Sequence, residues 1–247
     1  HYNKLLNPQN EPDKDIRNQL EFINRLEINV VFPFLLKVYD DYFTKLIDKK
    51  TFIGVLELIQ SYTWRRFIVG LPTNALNKTF MGLYDKVNTS NYLESIQLIL
   101  ISKLGIQKFP KDLEVIEALK TKDVYGKKKK NRVYLLERLE NHNNKERVQI
   151  ENNPDITIEH IFPQNPDVKW KQELGNDEFT YIKDNLTNTI ANLTLSGNNG
   201  KLGNKVFKDK RDMKDAGYKD SRLWLNKDLA RYDRWGKREI EKRSDIL

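Results

Sequence analysis

The sequence predicts a mainly α protein. A helical subdomain over residues 1–150 precedes a small strand–strand–helix core over 151–215, and a closing helical segment over 216–247 packs on that core. Three observations carry this reading. Apolar residues recur at three- and four-residue steps through the first 150 positions, the period of helices buried on one face. The texture changes at Asn152-Asn153-Pro154, beyond which the chain is rich in asparagine and turn residues. Within that stretch Ile156 to Phe162 and Thr189 to Leu195 are the two β-favouring runs.

Each element follows from its residues. Phe52, Val55, Leu56, Ile59 and Tyr62 make one helical stripe; Leu93, Ile96, Leu100, Ile101 and Leu104 make a second, and Val133, Leu136 and Leu139 a third. At this spacing they are expected in the core. Pro72, Gly105 and the run Gly126-Lys127-Lys128-Lys129-Lys130-Asn131 punctuate the helices, with the lysines expected in an exposed loop. Arg65 and Arg66 are expected to be salt-bridged structural residues, with DNA or interdomain contact as the alternative. After the second strand a helix is expected from Leu202 onward. It would turn Leu202, Val206 and Met213 to the core and Lys201, Lys205 and Lys208 to the opposite side. A last helical piece carries Trp224, Trp235 and Ile240.

Bulk properties narrow the function classes. With 247 residues and 38% hydrophobic content the chain can bury a real core. No apolar run approaches the ~20 residues of a membrane span. Cysteine is absent, which excludes disulfides, thiolate-bound zinc and thiol catalysis, and is compatible with a reducing cytoplasm. The chain begins at His1 without the layout of a secretion signal, so a piece cut from a longer polypeptide is expected. The net charge of +8 is uneven: residues 198–247 hold fifteen Lys and Arg against nine Asp and Glu. A basic skew confined to that part fits a polyanion such as nucleic acid.

The chemistry concentrates just ahead of the basic skew. Glu159-His160, Asn192 and Asn199 supply one carboxylate, one imidazole and two amides on a strand–strand–helix, the parts needed to hydrolyse a phosphodiester around a hard metal ion. An imidazole titrates near ~6.5 and can take a proton from water near neutral pH. Neighbouring residues of a strand point to opposite faces, so Glu159 and His160 share a pocket only if the backbone leaves strand geometry; a bend after Ile158 is expected. The Asn192 amide can donate to one carbonyl and accept from one N–H, clamping the loop that carries His160. Asn199 falls at the start of the predicted helix. Its amide oxygen and the Glu159 carboxylate are hard ligands for Mg²⁺ or Mn²⁺, with two phosphate oxygens and waters completing an octahedron.

The segments Glu159-His160-Ile161-Phe162-Pro163-Gln164, Trp170 with Leu174-Gly175, Ala191-Asn192-Leu193-Thr194-Leu195, and Asn199 with Leu202, Asn204, Phe207 and Lys210-Arg211 resemble the C-terminal HNH nuclease domain of GmrSD-type modification-dependent restriction enzymes, a domain shared with Ssp- and Brx-type phage-defence nucleases. Upstream, Tyr62, Arg65-Arg66, Gly70, Thr73-Asn74, Leu76, Lys78 and Phe80 resemble the helical region before that motif, and Trp235, Ile240 and Arg243 its closing helix. The resemblance implies a ββα-metal (His-Me finger) nuclease that nicks or cuts DNA as the effector half of a phage-defence enzyme. His160 is then the general base, Asn192 the central brace, Asn199 the third position of the triad and Glu159 the metal-binding residue before the histidine. Lys201, Asn204, Lys205, Lys208, Lys210 and Arg211 are expected to meet DNA. It also implies an N-terminal NTP-binding sensor domain, for which residues 1–247 supply no Gly-rich phosphate loop. A catalytically silent nucleic-acid or protein-interaction module and an RNA-directed nuclease are the competing readings.

Overall fold

The computed structural model describes residues 1–126, 129–142, 144 and 146–247, and the chain divides into two compact units, His1–Ile116 and Glu117–Leu247. Both are mainly helical. The first is all helix and turn among its described residues. Its longest helix, Lys49–Val69, is capped by Asp48, whose carboxylate accepts from Thr51 N–H, and ends where Gly70 takes a left-handed conformation at φ 82°. Phe52, Val55, Leu56, Ile59 and Tyr62 are all buried, as their spacing predicts. The second stripe holds only in part: Ile96 and Leu100 are buried, whereas Ile101 and Leu104 are exposed, because the helix Tyr92–Ile101 stops and takes its periodicity with it.

Arg65 and Arg66 have structural partners. Buried Arg66 donates to the carbonyls of Lys108 and Pro72, and Arg65 pairs with Asp112 at 2.6 Å.

The second unit starts at Glu117, well before the change of texture at Asn152. The helix Lys129–His142 is tied into it by two buried carboxylates. Glu140 accepts from the N–H groups of Trp224 and Leu225, at the start of the helix Trp224–Lys227, and Glu137 accepts from those of Ile150 and Glu151. These contacts join residues up to 85 positions apart, which a composition shift cannot register. Lys127 and Lys128 lie outside the described residues, and the backbone of Lys129 and Lys130 already belongs to the helix.

Two short strands, β1 (Thr157–His160) and β2 (Leu193–Ser196), pair antiparallel with Ile158 opposite Leu195 and His160 opposite Leu193. The predicted single helix after β2 is two: Asn199–Leu202 and Phe207–Asp212. Gly203, at φ 51°, breaks the path between them. Leu202 and Val206 are nevertheless buried, in a core with Ile161, Phe162, Trp170, Phe207 and Trp235. Asn192 precedes β2 in the 3₁₀ turn Ile190–Asn192.

Candidate active site

Strand β1 delivers His160 at its end, and pairing continues one residue beyond it through Ile161 N–H to Asn192 O at 3.0 Å. No bend follows Ile158. The pleat is regular, and Glu159 consequently turns inward. Its Oε1 accepts from Lys210 Nζ at 2.7 Å and from the Tyr218 hydroxyl at 3.3 Å, and Lys210 Nζ also donates to His160 O at 2.8 Å.

This pair is buried on both sides, with the Lys210 side chain fully enclosed. Burial pushes the Glu159 carboxyl above its ordinary value and the Lys210 ammonium below its own, while their contact opposes both shifts. Lys210 therefore does not present its charge to a DNA backbone, as the sequence leads one to expect. Arg211 does not either: it is 6% exposed and engaged by Asp212 and Asp233. Lys201, Asn204, Lys205 and Lys208 are exposed. Replacing Lys210 by Met strands a buried carboxylate, for which a loss of about 3–5 kcal/mol is expected in denaturant unfolding. Adding Glu159→Gln to Lys210→Met should recover most of it; a single variant as stable as the parent would contradict a stabilising pair.

His160 is held from two sides. Its Nε2 lies 3.1 Å from Asn188 Oδ1, and the Tyr125 ring packs edge-on at 4.3 Å between centroids. Asn188 in turn donates through Nδ2 to Asp123 Oδ2 at 3.2 Å, which fixes its oxygen toward the imidazole, and Gln164 donates to that same oxygen at 3.4 Å. An acceptor facing Nε2 assigns the proton to Nε2 and leaves Nδ1 as the lone-pair nitrogen. Burial lowers the affinity of the ring for a second proton below the ordinary 6.5, against the opposing pull of Asn188. The imidazole is thus neutral at neutral pH and able to accept.

Asn192 is wholly buried and makes four contacts. Its Oδ1 accepts from Phe162 N–H at 2.8 Å and Trp235 Nε1–H at 2.9 Å; its Nδ2 donates to Phe162 O and Thr187 O, both at 2.8 Å. The backbone two residues after His160 is clamped at both its N–H and its C=O. The closing helix Lys237–Ser244 secures the turn that carries Asn192, because the fully buried Arg243 donates to Ala191 O and Leu193 O.

Asn199, at the start of its short helix, donates through Nδ2 to Ile158 O at 2.8 Å and Thr157 Oγ1 at 3.3 Å. Its Oδ1 is left as the uncommitted end of the amide. Glu159, His160, Asn199, Asn204, Gln164 and Tyr125 all border one cavity of about 220 Å³. Among the described residues no group of three or more His, Asp and Glu side chains converges. The hard oxygens among the residues bordering this cavity include the amide oxygen of Asn199 and the carboxylate of Glu159, the latter buried and held through Oε1 by Lys210 and Tyr218. Two hard oxygens fit a largely hydrated Mg²⁺ or Mn²⁺ whose remaining positions are filled by water and phosphate.

Three contributors to the site escape sequence reasoning: Asn188, Asp123 and Tyr125 around the histidine; Trp235 is read from the sequence only as part of the closing segment, without its bond to Asn192. Asn188 is one of many asparagines in its segment, and Asp123 and Tyr125 lie more than thirty residues ahead of the motif. Val124 N–H donates to Asn188 O, so the strip 123–125 docks on Asn188 through backbone and side chain together.

No curated protein matches the chain. The family model for the C-terminal domain of GmrSD restriction endonucleases matches residues 109–247, a span that takes in the whole of the second unit, both strands and every residue of the cavity. The chain therefore belongs to the GmrSD restriction endonucleases, of which it carries the C-terminal nuclease domain.

Proposed function

We propose that the cavity bordered by His160, Glu159 and Asn199 is a ββα-metal nuclease centre that hydrolyses DNA phosphodiester bonds with Mg²⁺ or Mn²⁺. The observation that supports this most is an imidazole oriented through Nε2 by Asn188, with Nδ1 left to accept a proton, in a cavity that Asn199 borders with its amide oxygen uncommitted. His160 Nδ1 takes the proton of the attacking water, and the chain Asn188–Asp123 holds the ring in the tautomer that allows it. Asn192 keeps the turn after His160 fixed while that proton moves. Glu159 and Asn199 would hold the ion, which when bound supplies charge stabilisation for the phosphate and its leaving oxygen. Lys201, Asn204, Lys205 and Lys208, exposed after β2, are the candidate backbone contacts.

In this reading the chain is the cutting half of a phage-defence enzyme acting in the cytoplasm. An N-terminal NTP-binding sensor domain that detects modified DNA would choose the target. Supercoiled plasmid incubated with the chain and Mg²⁺ or Mn²⁺ should convert to open-circle or linear form, and EDTA should stop it. Salt-sensitive binding without conversion under any divalent ion would instead favour a silent binding module.

A further inference from the structure

A second and larger cavity, of about 720 Å³, adjoins the catalytic one, and Tyr125, Ile158 and Asn199 line both. Its other walls are largely apolar: Val133, Ile150, Pro154 and Ile156. Across one wall the Arg132 guanidinium lies over the Tyr125 ring, 4.0 Å from its centroid, and donates to Tyr125 O. Arg132 Nε is buried and has no hydrogen-bond partner. Arg132 is half-buried and, with Tyr125, borders the groove.

We infer that this groove receives a nucleobase of the strand being cut, stacked against the Arg132–Tyr125 platform, while the attached phosphate sits at Asn199. The inference rests on the nuclease reading of the adjoining cavity. Continuity argues for this occupant: Asn199 borders both cavities, so a nucleotide whose phosphate is held there can place its attached base in the groove. The wall chemistry argues for the base rather than the backbone. Apolar side chains and a planar cation accommodate a flat π-system, and guanidinium planes are stacking partners for unpaired bases. A volume within the ordinary range of ligand pockets leaves room for base and sugar together.

Single-stranded oligonucleotides carrying 2-aminopurine, mixed with the 247-residue chain in Ca²⁺, test this directly. Stacking in the groove should quench the 2-aminopurine emission saturably, and Arg132→Gln should remove the quench. In cleavage with Mg²⁺ the same variant should raise KM by roughly 5–100-fold with kcat little changed, the equivalent of losing one stacked base. A readout independent of the variant's folding is an abasic scan of the oligonucleotide with the parent chain, in which one position next to the cut should weaken binding by a similar factor. Cleavage with no quench, no sensitive abasic position and an unaffected Arg132→Gln would overturn the groove assignment and leave the nuclease reading standing. Quench and abasic sensitivity without cleavage under any divalent ion would keep the groove and remove the nuclease reading. Neither binding signal nor cleavage would overturn both.

Discussion

His160→Ala is expected to lower plasmid nicking by about 10²–10⁴-fold, the contribution typical of a positioned general base. The expectation is this large because nothing nearby can replace the ring. Among the groups bordering the cavity, Glu159 is paired with Lys210, the amides of Asn199, Asn204 and Gln164 carry no proton to exchange near neutral pH, and Tyr125 is a phenol. Removing the ring should cost little stability, since the imidazole makes one hydrogen bond and one edge contact. Thermal unfolding measured beside the nicking rate separates the two effects. A variant that keeps its melting temperature and its nicking rate would remove His160 from the chemistry. Asn188→Ala is the milder companion, because it releases the tautomer without removing the base.

Asn192→Ala has the largest expected effect on stability. The substitution strands two donors, Phe162 N–H and Trp235 Nε1–H, and two acceptors, Phe162 O and Thr187 O, in a place with no access to water. Each buried group left without a partner costs about 1–3 kcal/mol, and partial relaxation leaves a loss on the order of 4–6 kcal/mol. Urea unfolding should show it as a much lower midpoint. Nicking should fall as well, even where the variant remains folded, because the turn holding His160 loses its clamp. Loss of under about 1 kcal/mol would mean that the amide is not the link between the histidine turn and Trp235.

The parts of the site that were legible in the sequence are those whose chemistry is carried by a short segment. Glu159-His160 could be placed on the first strand and Asn199 ahead of a helix, and the antiparallel pairing of β1 with β2 brings them to one cavity; Asn192, read on the second strand, lies instead in the 3₁₀ turn just before it. Long-range pairing was not legible. Lys210 reads as one more basic residue in a basic stretch, yet it lies 51 residues from Glu159 in sequence and 2.7 Å from it in space. The pleat decides the matter: because β1 stays regular, Glu159 must face the interior, and a buried carboxylate needs a buried cation. Asn188, 28 residues from His160, was hidden for the opposite reason, since an asparagine among asparagines has no local signature. The fold shows the same division. The stripe on Lys49–Val69 announced its buried face, whereas the attachment of Lys129–His142 to the second unit depends on Glu137 and Glu140 capping distant backbone, which no periodicity encodes.

The basic residues after β2 divide in the same way. Lys201, Lys205 and Lys208 are free to meet a polyanion, while Lys210 and Arg211 serve the interior. The excess charge that suggests nucleic acid is therefore partly consumed in holding the site together.

The most direct measurement is the anomalous signal of Mn²⁺ in crystals of the chain with a short oligonucleotide. The proposed centre predicts one ion in the 220 Å³ cavity, bound by Asn199 Oδ1 and the Glu159 carboxylate and completed by water and phosphate, with His160 Nδ1 facing the phosphorus. A Mn²⁺ ion bound elsewhere, with phosphate absent from this cavity and Glu159 still closed on Lys210, would contradict it.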